Sequence, residues 1–193
     1  MTGAVVGPDG LARCPWGVSP PKYAVYHDEE WGRPVRGEQA LFERLSLEAF
    51  QSGLSWLTIL RKREAFRAAF AGFDPGVVAR FDATDEARLL ADAGIVRNVA
   101  KVRATVGNAR AVLALRDEGG LDELVWRHRP PPRGHRPAGP EDVPATTPES
   151  VALAKALKRA GLSFVGPTTA YAAMQACGLV DDHLQGCHVP PAA

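Results

Sequence analysis

Two cysteine–histidine pairs lie at opposite ends of this chain: Cys14 and His27 near the start, His183 and Cys187 near the end. Twelve residues separate the first pair and three the second, with 155 residues between the pairs. Residues four apart on a helical turn or in a tight loop share a face, so His183 and Cys187 can reach one ion together. Zinc in a structural role takes four thiolate or imidazole ligands in a closed tetrahedron. The pattern therefore points to one structural Zn2+ that joins the N- and C-terminal segments. Any fold for this chain must then bring its two ends together. The plainer alternative is a buried cysteine with scattered surface histidines.

At 193 residues the chain suits a single domain, or two closely packed helical lobes, burying roughly 70% of its unfolded surface. Three cysteines make an odd count, and there is no secretory leader or apolar run of membrane-spanning length. A reducing cytoplasm is expected, with two thiols on metal and Cys177 packed as a small apolar side chain. A net charge of +1 permits a nucleic-acid partner without demanding one, since a basic face can hide in a balanced total.

Helical periodicity dominates, and the expected fold class is all-α. Residues 38–52 place Leu41, Leu45 and Glu48 on one side, an apolar stripe ending in a carboxylate. Ser55 is a good N-cap for a helix running to Ala71, where Gly72 stops it. Thr84 with Asp85 and Glu86 opens another, ending near Gly94. Val99, Val102, Val106, Ala109 and Val112 give 3–4 spacing over roughly residues 98–117. Thr147, Pro148 and Glu149 start a helix that runs to Gly161, and a last one covers Thr168 to Cys177. No stretch alternates cleanly enough to predict a strand. Residues 1–12 read as a flexible tail, frayed over 1–10, before a single domain at 13–193. Within it, residues 127–144 carry six prolines and four arginines. Proline removes donors and locks φ, so an extended solvated loop or lid is expected there.

The chemistry gathers in the first third. Trp16, Tyr23, Tyr26 and Trp31 surround Cys14 and His27 in a segment broken by Pro15, Gly17, Pro20 and Pro21, and Trp56 follows. Aromatics usually build cores, but a loop-like segment has little core to build, so a ligand-stacking pocket competes with that reading. Glu48 stands on the apolar side of its helix, where an unpaired carboxylate is costly to bury. Its partner is either a bound substrate or a cation such as Arg44.

Six blocks carry a resemblance. They are RCPW at 13–16, YHDEEWGRP at 26–34, LEAFQSGLSWLTILRKRE at 47–64, DAGIVRN at 92–98, KVRATVGNAR at 101–110 and FVGPTTAYAAMQACGLVDDHLQGC at 164–187. In this order they resemble the type I 3-methyladenine DNA glycosylases, from about residue 13 to residue 188. The resemblance implies a helix–hairpin–helix DNA glycosylase fold with a structural zinc, and excision of 3-methyladenine from alkylated double-stranded DNA. It assigns the zinc ligands to Cys14, His27, His183 and Cys187, and the carboxylate that binds the damaged base to Glu48. The pocket aromatics would be Tyr23, Tyr26 and Trp56, with Trp16 and Trp31 in the walls. The DNA-gripping hairpin would span Gly94, Val96, Arg97 and Asn98, with Lys101 and Arg103 beside it for phosphate contacts. Phe50, His188 and the Pro- and Arg-rich lid depart from some relatives and touch no proposed ligand.

Two other readings share some of these features. A non-catalytic zinc-stabilised helical DNA-binding module would use the ligands and the hairpin, but has no need of Glu48 in an aromatic pocket. A zinc hydrolase needs an open coordination position, which four Cys and His ligands close. No lysine is placed to form a Schiff base, so strand cleavage is not expected, and a monomer suffices.

Overall fold

The computed structural model describes residues 3–191. Its helices are α1 (Pro21–Glu29), α2 (Glu38–Gln51), α3 (Trp56–Ala69), α4 (Pro75–Val78), α5 (Ala83–Ala91), α6 (Val99–Ala114), α7 (Gly120–Trp126), α8 (Pro148–Arg159) and α9 (Pro167–Ala176). Two-residue strands β1 (Val5–Val6) and β2 (Ala12–Arg13) pair antiparallel. The regular structure is otherwise helical, in line with the periodicity.

Helix α2 is the axis of the fold. Eight of its residues are buried, including Leu41, Phe42, Leu45, Leu47 and Phe50, and it packs against α3, α6, α7 and α9. A helix covered on this many sides loses its polar face, which explains why Glu48 is interior as well. Phe50, Phe66, Phe70 and Phe73 form a run of ring contacts with centroids 4.6–6.3 Å apart, within the range for favourable aromatic pairs. Helices α8 and α9 pack together and close the other side.

Local chemistry sets the helix ends. The Ser55 hydroxyl accepts from the Thr58 N–H at the start of α3, and Thr147 does the same for Ser150 at the start of α8. Helix α5 begins earlier than Thr84: Asp82 is its N-cap and forms a reciprocal capping box with Asp85. Helices α4 and α7, of 4 and 7 residues, are too short to show a periodic stripe in the sequence.

The largest departure from expectation lies between residues 15 and 31. The prolines suggest a loop, yet Pro21 occupies the first turn of α1, where its missing N–H has no intrahelical acceptor to lose. This helix carries Tyr23, Tyr26 and His27. Of the expected tail, residues 1–2 lie outside the described residues; within the rest, Val5–Val6 pairs with Ala12–Arg13, and the Ala4 N–H donates to the Gln185 carbonyl. The Pro- and Arg-rich segment lacks regular structure apart from a single turn at Pro140–Asp142. It is not simply solvated, because Arg133 reaches Asp182 at 2.7 Å and Arg136 reaches Asp181 at 2.9 Å.

Candidate active site and metal centre

Cys14, just after β2, and His27, on α1, meet His183 and Cys187 from the segment after α9. Their four ligand atoms all lie within 4.8 Å of one another, and the first three residues are almost fully buried. The Cys187 sulfur is 3.6 Å from both His27 Nε2 and His183 Nδ1, and the Cys14 sulfur is 3.9 Å from His183 Nδ1. Bonds of about 2.3 Å to sulfur and 2.1 Å to nitrogen impose a tetrahedron edge of about 3.6 Å. The donor set therefore fits a four-coordinate ion.

The surrounding groups fix the ring orientations. His27 Nδ1 pairs with Asp28 Oδ1 at 2.8 Å, which leaves Nε2 as the ligand atom. His183 Nε2 pairs with the Trp31 carbonyl at 3.1 Å, which leaves Nδ1. A carboxylate or carbonyl behind a ligating imidazole is the usual arrangement at metal sites. Asp28 also accepts from the Arg13 guanidinium, from Nε at both oxygens and from Nη2 at Oδ2, and lies 3.0 Å from His188 Nε2. Burial opposes its ionisation, but these donors outweigh that and hold its carboxyl well below the usual range. Glycine is required at position 17, where a Cβ would stand 2.6 Å from the His27 ring. The sequence offers a sign of Asp28 in its adjacency to His27, but none of Gly17.

A cavity of about 530 Å³ opens beside this centre. Trp16, Tyr23, Tyr26, Trp31, Trp56 and Glu48 all line it, so the structure gathers the five aromatics and the carboxylate singled out from the sequence. Trp16 stands edge-on to Tyr23 at 5.7 Å and to Trp31 at 5.0 Å, and Tyr26 is tilted against Trp56 at 5.3 Å. The Tyr23 hydroxyl accepts from the Leu57 N–H at 2.8 Å and so ties α1 to the first turn of α3. Trp16 abuts His27 at 5.1 Å, and Trp31 abuts His183 at 4.7 Å. The wall of the cavity and the Cys/His cluster are thus one packed unit.

Glu48 is buried and makes no hydrogen bond or ion pair with the described residues. Arg44, the alternative partner one turn earlier on α2, donates instead to Glu30 at 2.9 Å, beside Arg63. Burial pushes the Glu48 carboxyl up to about 8, with the nearby Arg44 charge opposing the shift only in part. Burial, and then the proximity of Glu48, also push the Tyr26 phenol upward, so it stays neutral. Cys177 is 1% exposed and packs in the core as expected. The cavity has further polar residues that sequence reasoning missed: Gln51, Gln175 and Asp182. Gln51 was within reach, lying three positions after Glu48 on the same helix face. The other two depend on the long-range fold.

The segment at 92–98 is a tight turn into α6. The Asn98 side chain accepts from the Lys101 N–H as the N-cap, and the Gly94 N–H is taken by Asp92. Arg97 is exposed and has no ion-pair partner among the described residues. The expectation for Lys101 is corrected. Its side chain is buried, and Nζ donates to the Phe50 and Ser52 carbonyls at 2.8 and 2.6 Å, capping the C-terminus of α2. Arg103 is paired with Glu86 at 2.7 Å. Neither cation is free to meet a phosphate without breaking these contacts.

A cavity walled by aromatic faces, with an unpartnered carboxylate inside and a Cys/His cluster behind it that could hold a metal ion, suits the capture of a flat, cationic ring. Known proteins narrow this class. The methyladenine glycosylase family model matches residues 16–190. DNA-3-methyladenine glycosylase 1 of Escherichia coli (strain K12) is 45% identical over 181 residues, which cover 92% of this chain and 96% of that one. A crystal structure of 3-methyladenine DNA glycosylase I superposes with a TM-score of 0.88 at 46% identity, covering 93% of this chain and 100% of the other. The Staphylococcus aureus enzyme, solved to explain 3-methyladenine recognition, gives a TM-score of 0.88 at 35% identity, over 94% and 97% of the two chains. This chain belongs to the methyladenine glycosylase family.

Proposed function

We propose that this protein is a monofunctional DNA-3-methyladenine glycosylase that hydrolyses the N-glycosidic bond of 3-methyladenine in alkylated double-stranded DNA. The observation that carries the reading is Glu48, a buried carboxylate with no partner among the described residues, facing an aromatic cavity of base-accommodating size. 3-Methyladenine in DNA is cationic, so its glycosidic bond is already activated. Aromatic faces attract such a cation over neutral adenine by roughly 0.5–2 kcal/mol per well-placed ring. Glu48 accepts hydrogen bonds from the exocyclic amine and adds its charge to that preference. The bond electrons leave with the base, which departs neutral; water adds to the sugar cation left behind and releases one proton to solvent. A base inside a duplex must first be extruded, which is easier for a damaged one.

The same reading makes the metal a single structural zinc held by Cys14, His27, His183 and Cys187. It makes the residue 92–98 turn, with α5 and α6, a helix–hairpin–helix element in one domain starting near residue 13. The protein would act as a monomer in the cytoplasm. A binding module without catalysis leaves the unpartnered Glu48 unexplained. The direct test is chromatographic separation of bases freed from methylated duplex DNA, where 3-methyladenine is the expected product. A folded, metal-loaded protein that frees no base would overturn the reading.

In the hairpin, Arg97 and the N–H groups at the start of α6 are the groups that would meet the DNA backbone. Arg97→Ala is expected to lower the slope of log affinity against log salt by about 0.9, one phosphate contact. Lys101→Ala should leave that slope unchanged and instead lower the melting temperature, because it uncaps α2. A reduced slope for Lys101→Ala would return that residue to the DNA surface.

A further inference from the structure

Asp182, 2% exposed as a residue, lines the cavity and binds three donors. The Tyr171 hydroxyl donates to Oδ2 at 2.6 Å, Gln175 Nε2 to the same oxygen at 2.8 Å, and Arg133 Nη1 to Oδ1 at 2.7 Å. Arg133 also donates to the Tyr171 oxygen at 3.0 Å, so the tyrosine proton must point to Asp182. In all three of these contacts the Asp182 oxygens are the acceptors. The Gln175 amide nitrogen is therefore fixed on Asp182, and its carbonyl oxygen Oε1 is left without a partner among the described residues. Gln175 lines the same cavity as Glu48. Gln51, the other cavity glutamine, makes no side-chain hydrogen bond with described residues and can turn to present either end of its amide.

We propose that Gln175 is a second specificity-determining residue of the pocket, offering a fixed acceptor to an N–H donor of the bound base, and that Asp182 positions it. The inference rests on the glycosylase reading and adds to it. An acceptor that cannot rotate rejects a ring whose facing group is itself an acceptor, because two lone pairs then meet without water between them. The pocket thereby selects a 6-amino purine over a 6-oxo purine of the same shape by geometry, in addition to the charge preference of Glu48. Arg133 belongs to the Pro-rich segment, which also supplies Pro140 and Val143 to the cavity lining, so the loop is part of the orienting network.

The test uses the metal-loaded full chain and two free bases, 3-methyladenine and 3-methylhypoxanthine, with tryptophan fluorescence as the binding readout. Gln175→Met keeps the length of the side chain and removes the acceptor. It is expected to weaken 3-methyladenine about tenfold, the equivalent of one hydrogen bond, without weakening the 6-oxo base. Asp182→Asn frees the Gln175 amide to turn over, and is expected to narrow the preference between the two bases in the same direction. Unchanged 3-methyladenine affinity in Gln175→Met, or an equal loss for both bases, would overturn the proposal. Base release by the parent from methylated duplex DNA is measured in parallel, so failure of the glycosylase reading is seen separately from failure of this one.

Discussion

Glu48→Gln is expected to reduce 3-methyladenine release by ~10²-fold, the scale for loss of one preorganised electrostatic group, while making the protein more stable in alkaline solution. Both effects follow from the same burial. The Glu48 carboxyl is pushed up to about 8 in the folded chain, against 4.5 for an ordinary glutamate. Between those values the folded state holds a proton that the unfolded state has lost, so the parent loses stability as pH rises across the window. Glutamine carries no such proton. The melting-temperature advantage of the variant should therefore be small near pH 4.5, grow towards pH 8 and then level off. At its full extent it is on the order of a few kcal/mol, or about 5–10 °C for a chain of this size. For the parent, kcat/KM should rise with pH through about 8, because the empty pocket must give up the Glu48 proton to receive a cation, and kcat/KM reports the free enzyme. The variant should lack that rise. A stability difference that does not change with pH would mean that Glu48 is not the desolvated carboxylate its burial implies.

The long elements are legible in the sequence because their signals are local. The stripe of Leu41 and Leu45, the Ser55 cap and the Thr147–Pro148 start are each contained within a turn or two of helix, and the structure places α2, α3 and α8 where they predict. Between residues 15 and 31 the outcome turns on what proline does. Pro20 and Pro21 read as breakers, whereas Pro21 at a first helical turn supports a helix, and no local pattern distinguishes the two uses until the following residues are packed. The clustering of the four Cys and His residues is legible because metal chemistry restricts the residue types, even across 169 positions between Cys14 and His183. Lys101 is the opposite case. A basic residue near a glycine turn looks like a phosphate contact, and only the tertiary approach of α2 reveals that its ammonium caps two carbonyls. Gln175 and Asp182 escape a sequence reading for the same reason, since nothing within a turn of either sets it apart from an ordinary polar residue.

Removing the metal is expected to be the most damaging change of all. An ion bound to Cys14 and His183 closes a loop of about 170 residues, and a cross-link of that span is worth about 5 kcal/mol in chain entropy. At 2–4 °C per kcal/mol, a fall in melting temperature of about 10–20 °C follows. Chelation that strips the ion completely should give this shift, and Cys14→Ala should reproduce it without chelator, since the ligands left behind cannot close the shell. The loss should also reach the base pocket. Trp16 and Trp31 pack on each other at 5.0 Å while touching His27 and His183, so freeing the histidines releases two walls of the cavity. Tryptophan fluorescence should change in step with metal loss, and affinity for free 3-methyladenine should fall even at temperatures where α2 and the phenylalanine core remain folded. Metal analysis of the parent should give one ion per chain. Complete removal of that ion with no change in melting temperature would mean that packing around Asp28 and Arg13 alone holds the two ends of the chain together.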